Sequence, residues 1–515
     1  MINTDDGFVT IFVGRAQKEP DRVLCLYEGA PLTFAELDRM SSSLARWLRT
    51  EGVPRGGRVL VMMHNNPLAI ALLFAIAKAG AIWVPVNVQS RGDNLRYIVE
   101  HADPHLIVAD HELVPRLQSD IPQFDADRVR SAGDSSAPRS LEVGLSESPE
   151  PLAERLPAAD EPYAIMYTSG TTGRPKGVIV SHRMLRFAGE SIALVSAVED
   201  GGVFHMWEPL YHIGGAQMIV LPLIRKVHLA MVQRFSATRF WSEVKQYGAT
   251  HIHYLGGLLQ ILLKQPPGPL DRSHGARIAF GGGCPKDVWR PFEERFGVEV
   301  RECYGMTECS SVTTYNANRV LGSVGRPLPW FEVELRDEHG RPVPQGERGE
   351  IVVRPRVSGA ITAGYYNNPE ATARAVRPDG FHTGDLGSFD AEGNMYFHGR
   401  MSDNVRVKGE NVSAFEVEHV AAQHPAVEDC AMIGVPAEIG EQDIKLFVKA
   451  KVGTSIDPEE LSAWLAERLA PYQNPRYIVI VDDFERTPSQ RIMKHRLAQR
   501  DDPVWDRQRT SGKVH

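Results

Sequence analysis

At 515 residues the chain exceeds what one hydrophobic core holds, so it reads as more than one domain. Apolar residues at 43% and charged residues at 24% argue against the disordered and fibrous classes, and a net charge of -8 argues against a nucleic-acid partner, which calls for a basic surface. Five scattered cysteines, an odd number without metal-ligand spacing, argue against a disulfide framework and fit a reducing cytoplasm.

Met1 to Gly7 is polar, which is wrong for a signal peptide. Leu32–Leu37 opens a helix that Thr33 caps, with Glu36 three residues on completing a capping box. Val59–Met63 reads as a buried strand, Leu68–Lys78 as a helix, and Ile82–Val86 and Leu106–Ala109 as further strands. The apolar run Leu68–Ala77 is too short to span a bilayer. Asp125 to Pro151 turns polar and reads as a surface connection. The alternation resumes through Ser181–Leu194, Ile219–Leu223, Thr238–Tyr247, His251–Leu255 and Ile278–Phe280. Such alternation predicts an α/β fold with a mostly parallel, layered sheet. From 325 to 397 short β-type runs (Phe331–Leu335, Gly349–Val353) between Gly- and Pro-rich turns predict a small β-barrel-like subdomain. Beyond residue 400 a compact α+β module follows, with helices at Ala414–Ala422 and Pro458–Leu469 and strands at Ala431–Ile433, Leu446–Val452 and Tyr477–Val481. The residues from Arg500 onward read as a disordered tail.

The most informative stretch is Thr168-Ser169-Gly170-Thr171-Thr172-Gly173-Arg174-Pro175-Lys176-Gly177, with four hydroxyls, three glycines and two cations between apolar runs. Glycines let backbone N–H groups approach an anion, and hydroxyls and cations add donors, so the chemistry points to phosphate oxygens. The common nucleotide-binding loop needs Gly-Lys-Ser/Thr opening a helix. Here Pro175 stiffens the chain before Lys176 and a strand follows.

This loop resembles the signature of the adenylate-forming superfamily: acyl- and aryl-CoA ligases, peptide-synthetase adenylation domains and luciferases. Further motifs stand in the family's order: Tyr304-Gly305-Met306-Thr307-Glu308, His382-Thr383-Gly384-Asp385, Gly399-Arg400 with Asp403, and Lys408-Gly409-Glu410-Asn411-Val412. The resemblance spans nearly the whole chain. It implies a large N-terminal domain over 1–399, which binds ATP and the acyl group and carries the barrel-like subdomain at about 325–397. A small mobile C-terminal domain over 400–515 follows, with the active site between the two.

The same resemblance implies the chemistry. A carboxylate attacks the α-phosphate of ATP, pyrophosphate leaves, and a thiol then attacks the acyl-adenylate. Thr168, Ser169, Gly170, Thr171, Thr172 and Lys176 would hold the β- and γ-phosphates. Thr307 would contact the α-phosphate, and Glu308 would hold Mg²⁺; alone, Glu308 would read as a surface charge. Tyr304 and Gly305 would flank adenine, with Gly281, Gly282 and Gly283 letting backbone approach the base. Asp385 would take the ribose hydroxyls and Arg400 the ribose or phosphates. Lys408 and Gly409 would line the pantetheine tunnel of coenzyme A. Trp207, Tyr211, His212 and Ile213 match the segment that meets the substrate carboxylate, His212 as an aromatic gate, and Tyr254 and Gly256 add pocket wall. No acidic residue stands where amino-acid-activating domains place the aspartate for an α-amino group. An aliphatic, aryl or polycyclic acid is therefore expected, with free coenzyme A as the acceptor or, in second place, the phosphopantetheine of a separate carrier protein.

One departure is plain. Gln490-Arg491 stands where the family has Gly-Lys, whose lysine serves adenylation. Arg491 keeps the charge but exchanges a compact point donor for a planar fork. Either Arg491 substitutes, or Lys494 swings in (it otherwise reads as a solvated helix charge), or the enzyme is specialised for the thioester half-reaction from a preformed acyl-adenylate.

Overall fold

In the computed structural model, residues 6–137, 139–168, 174–403, 405–407, 410–437, 442–486 and 492–510 are described. By internal contacts the chain divides into two units. One holds residues 1–169, 174–333 and 353–382, and the other holds 170–173, 334–352 and 383–515.

The first unit is built on two largely parallel sheets. One has six strands in the order Val129–Ala132, Leu106–Asp110, Arg58–Met62, Ile82–Pro85, Pro162–Thr168, Lys176–Ser181. The first five run parallel, and Lys176–Ser181 returns antiparallel. The other has nine strands, with Glu299–Tyr304, Ile278–Gly282, His251–Leu255, Val203–Met206, His228–Met231 and Val23–Tyr27 forming its parallel heart. Parallel strands need helical crossovers that bury both faces. The helix Pro67–Lys78 accordingly buries every residue from Ala69 to Ala77. The helix Phe34–Thr50 starts as the sequence predicts: Thr33 accepts from the Glu36 N–H and Glu36 answers on the Thr33 N–H.

A five-stranded sheet contains Phe331–Arg336, Gly349–Pro355, Gly380–Phe389, Val376–Arg377 and Met395–Arg400. The second unit ends in a four-stranded sheet ordered Val427–Pro436, Gln442–Ala450, Tyr477–Ile480, Val504–Asp506. The helices Ala414–Ala422 and Pro458–Ala466 cover it, their Val417, Ala421, Leu461 and Leu465 sharing one core with Leu446, Val448 and Ile478.

Two sequence expectations change, and one helix is new. Asp125–Pro151 is more than a surface connection: Val129–Ala132 adds an edge strand, and Leu141 and Gly144 are buried. Gly144 lies so close to Leu44 and Trp47 that a Cβ there would meet Trp47 Cγ at 2.7 Å. The tail is not disordered throughout, because Val504–Asp506 pairs antiparallel with Tyr477–Val479. The helix Phe8–Lys18 has no counterpart in the sequence reading; it buries Phe8, Val9 and Phe12. All five cysteines are buried and none is in a disulfide, as suits small apolar residues. Among the described residues no helix is long and apolar enough to cross a membrane.

Candidate active site

In the first unit, Thr168 and Lys176 are cross-strand partners at the ends of two antiparallel strands, so the polar loop is a hairpin connection. Ser169, Gly170, Thr171 and Thr172 lie outside the described residues. Lys176–Ser181 is flanked by Gly364–Tyr366: Ile179 N–H donates to Gly364 O and Tyr366 N–H to Gly177 O. That places Tyr365 beneath the lysine, with the Lys176 ammonium 5.1 Å from the ring centroid. The Tyr365 hydroxyl donates to Glu308 Oε1 at 3.0 Å. One aromatic ring therefore meets both the lysine of the hairpin and a buried carboxylate.

Glu308 lies on a single 3₁₀ turn, Thr307–Cys309, just past the strand Glu299–Tyr304. The chain reverses there: Ser310 and Ser311 have φ of +52° and +72°. Gly305 sits where a Cβ would meet Ser311 O at 2.1 Å, so only glycine fits the reversal. Thr307 and Tyr304 are both nearly buried.

The glycine run ends the neighbouring strand Ile278–Gly282. A Cβ on Gly281 would meet Tyr254 O at 1.8 Å, and Gly256 N–H donates to Gly282 O at 3.0 Å. Beneath this run stands a residue the sequence reading missed, Glu302. It accepts from Gly283 N–H at 2.6 Å, from Cys284 N–H at 3.1 Å and from the Tyr254 hydroxyl at 2.5 Å. Burial pushes its carboxyl up to about 7, and the three donors hold it from rising further.

His212 caps the helix Ile213–Ile224, its Nδ1 accepting from Gly214 N–H at 3.1 Å. That fixes the neutral ring's proton on Nε2. Ile213 is buried, and the Tyr211 hydroxyl is pushed up to about 12 by burial. The Trp207 indole N–H donates to His253 O at 2.9 Å. Tyr254 is wholly buried with its hydroxyl on Glu302, so its side chain lies on the Glu302 side of the strand. A second missed residue is Glu208, buried with Oε2 at 2.9 Å from His253 Nδ1 and Oε1 at 4.0 Å from His212 Nδ1. Burial works to raise its carboxyl, but His253 and then His212 hold it below the usual carboxylate range. No local pattern announces either glutamate, since their partners are distant in sequence.

In the second unit, Asp385 and Arg400 are cross-strand partners, with Arg400 Nε 2.9 Å from Asp385 Oδ1. Thr383 Oγ1 donates to Ile351 O and accepts from Asp385 N–H, which sets the buried carboxylate's backbone. Lys408, Gly409 and Arg491 lie outside the described residues. Lys494 is not a solvated helix charge: its ammonium is 2.8 Å from Glu418 Oε1 and 3.3 Å from Asp403 Oδ2.

Through Tyr365 the lysine that follows the polar loop is linked to the buried Glu308 carboxyl. The family model for AMP-binding enzymes matches residues 12–366, and that for the AMP-binding enzyme C-terminal domain matches 416–491. The chain is 32% identical over 479 residues to the crotonobetaine/carnitine–CoA ligase of Escherichia coli O8 (strain IAI1), covering 90% of this chain and 92% of the relative. Among solved structures, ATP-bound MatB from Rhodopseudomonas palustris superposes with a TM-score of 0.86 at 27% identity, over 95% of this chain and 98% of that one. The o-succinylbenzoate coenzyme A synthetase MenE from Bacillus subtilis, in complex with AMP, superposes at 0.84 and 25% identity, over 97% and 99%. The chain belongs to the AMP-binding enzyme family, the adenylate-forming superfamily, and is an ATP-dependent, AMP-forming acid–thiol ligase.

Proposed function

We propose that the enzyme joins an uncharged, largely apolar carboxylic acid (aliphatic, aryl or polycyclic) to coenzyme A through an acyl-adenylate. The observation that carries this reading is the state of Glu208. Of the segment 207–215, Glu208 is the acidic residue, and it is buried and turned to His253 rather than left to meet a positive substrate group. Unlike crotonobetaine or carnitine, the expected acid carries no ammonium group.

Residue roles are those the family resemblance implies, and the chemistry supports them. Both half-reactions gather negative charge on phosphoryl or carbonyl oxygens, so the protein supplies position and positive charge. Lys176 and Thr168 are assigned the outer phosphates and Thr307 the α-phosphate. His212, with its proton on Nε2, is assigned the substrate carboxylate. Tyr304 and the glycine run are assigned adenine, and Asp385 with Arg400 the ribose. Glu308 is a hard oxygen donor held by a tyrosine hydroxyl, which suits Mg²⁺, an ion that takes one or two carboxylates and fills its shell with phosphate and water. Bound there, the ion would neutralise phosphate charge.

The test is AMP release across aliphatic, aryl, terpenoid and trimethylammonium-bearing acids, with free coenzyme A set against carrier proteins. Turnover fastest with an apolar acid and free coenzyme A is expected. A clear preference for the trimethylammonium acid, or for a carrier protein, overturns the corresponding half of the proposal.

A further inference from the structure

We infer that Glu302 is the positioning residue that sets the backbone of the adenine-binding glycine run, and that it does so through Gly283, Cys284 and Tyr254 rather than by touching nucleotide. The inference rests on the proposed placement of adenine beside Tyr304 and that run.

The run cannot set its own shape. Gly281, Gly282 and Gly283 carry no side chains, and Gly283 has φ of +96°, a region glycine enters at little cost. Glycine also has the most conformational freedom to lose on ordering. Something rigid must supply the constraint, and Glu302 is built for it. It lies two residues before Tyr304 on the strand Glu299–Tyr304, and it is the parallel register partner of Gly281. From there its carboxylate reaches forward past the end of the neighbouring strand. Oε1 accepts the Gly283 N–H at 2.6 Å, and Oε2 accepts the Cys284 N–H at 3.1 Å.

The far side is tied as well. Oε2 also takes the Tyr254 hydroxyl at 2.5 Å, and the carbonyl of that same tyrosine fills the space where a Gly281 Cβ would lie. The next glycine along, Gly256, donates to Gly282 O. One carboxylate thus joins three adjacent strand ends: the glycine run, the segment from Tyr254 to Gly256, and the strand that ends in Tyr304.

A buried carboxylate is an expensive way to hold a loop. Burying one costs several kcal/mol before its hydrogen bonds are counted, and that cost shows in the carboxyl being pushed up to about 7. A simple apolar contact would stabilise the unit better. What the carboxylate adds is direction, because two N–H vectors and one O–H vector are fixed at once. Glutamine is the informative replacement. With its oxygen in the place of Oε1 it can keep the Gly283 N–H at 2.6 Å and the longer Cys284 N–H contact at 3.3 Å, and its NH₂ in the place of Oε2 can donate to the Tyr254 oxygen, so most of the geometry survives without the charge. Alanine leaves all three donors without their acceptor.

The experiment compares wild type, Glu302→Gln, Glu302→Ala and Tyr304→Ala by steady-state kinetics in ATP and in acid, by AMP binding calorimetry, and by thermal melting. Expected is a KM for ATP and a Kd for AMP raised about tenfold or more in Glu302→Ala, the loss of about one hydrogen-bonded constraint. The KM for acid should stay within about twofold, and Glu302→Gln should bind AMP nearly as wild type does. If Glu302→Ala melts as wild type and binds AMP as wild type while Tyr304→Ala does not, the inference falls and the adenine placement stands. If neither variant changes AMP binding, both fall. If Glu302→Ala does not fold, Glu302→Gln decides: AMP binding weakened as much as in Tyr304→Ala overturns positioning by geometry.

Discussion

The hydroxyl of Tyr365 donates to Glu308 Oε1 at 3.0 Å while the Lys176 ammonium stands 5.1 Å from the centroid of the same ring. The ring thus meets the lysine on one side and, through its hydroxyl, the Glu308 carboxyl on the other. Tyr365→Phe keeps the ring and removes the hydrogen bond to a charged acceptor. It is expected to lower kcat/KM for ATP about tenfold, the size of such a bond. Glu308→Gln, which removes the charge of the proposed metal donor, is expected to cost about 100-fold. Both should be measured as ATP–pyrophosphate exchange over a range of Mg²⁺. A Tyr365→Phe enzyme with wild-type Mg²⁺ dependence and rate would show that the hydroxyl has no part in setting Glu308.

Glu208 and His253 form a buried pair at 2.9 Å. Removing one member of such a pair leaves a charge or a polar ring without compensation, so Glu208→Leu is expected to destabilise the first unit by about 3 kcal/mol. The double variant Glu208→Leu/His253→Leu removes both and should recover part of that loss. Urea unfolding followed by tryptophan fluorescence reads this, since Trp207 packs beside His253. A double variant no more stable than the worse single one would mean that the two side chains are not coupled.

What could be read from sequence was local or periodic. The Thr33–Glu36 cap spans three residues, and the run Leu68–Ala77 carries its burial in its composition. Val129–Ala132 was missed because a four-residue edge strand in a polar stretch has too little pattern to stand out, and its burial comes from its neighbours. Val504–Asp506 was missed for a related reason: the strand depends on pairing with Tyr477–Val479. At the site, motif residues such as Glu308 and Asp385 were named through family resemblance, and their roles remain proposals. Glu302 and Glu208 were not named, because a carboxylate whose partners are Gly283, Cys284 or His253 has no signature within its own stretch of chain.

The raised carboxyl of Glu302 makes stability depend on pH. Its folded value, about 7, lies above the ordinary 4.5, so the native state holds a proton that the unfolded chain has released between those two values. The stabilisation is fully present below pH 4.5 and is lost as pH rises through 7, amounting to about 3 kcal/mol in total. Facing groups do not confuse the window, since Tyr254, Cys284 and Cys303 are all pushed upward by burial, and Glu208 is held low. Wild type should therefore lose stability relative to Glu302→Gln between pH 5 and pH 8, as measured by urea midpoints at each pH. A constant gap across that range would disprove the shift.

Lys494 is committed: Glu418 holds its ammonium at 2.8 Å while that carboxylate also accepts the Met432 N–H at 2.6 Å, and Asp403 adds a second contact at 3.3 Å. To reach a nucleotide it would have to leave two carboxylates, and the Glu418 carboxyl, already raised by burial, would lose its strongest counter-charge. The adenylation cation is accordingly expected to be Arg491, with Lys494 a structural residue. Lys494→Met should cost about 2 kcal/mol of stability, as a partly buried pair broken on one side. It should leave ATP–pyrophosphate exchange per folded molecule within about twofold. Arg491→Ala should cut exchange about 100-fold, the scale of losing a transition-state charge contact, yet spare thioester formation from supplied acyl-adenylate. Arg491→Lys should retain exchange within about tenfold, because charge is kept and only the donor geometry changes. Exchange that survives Arg491→Ala and vanishes in a stably folded Lys494→Met would reverse the two assignments. A wild type that shows no exchange, yet makes thioester from acyl-adenylate, would mark an enzyme of the second half-reaction alone.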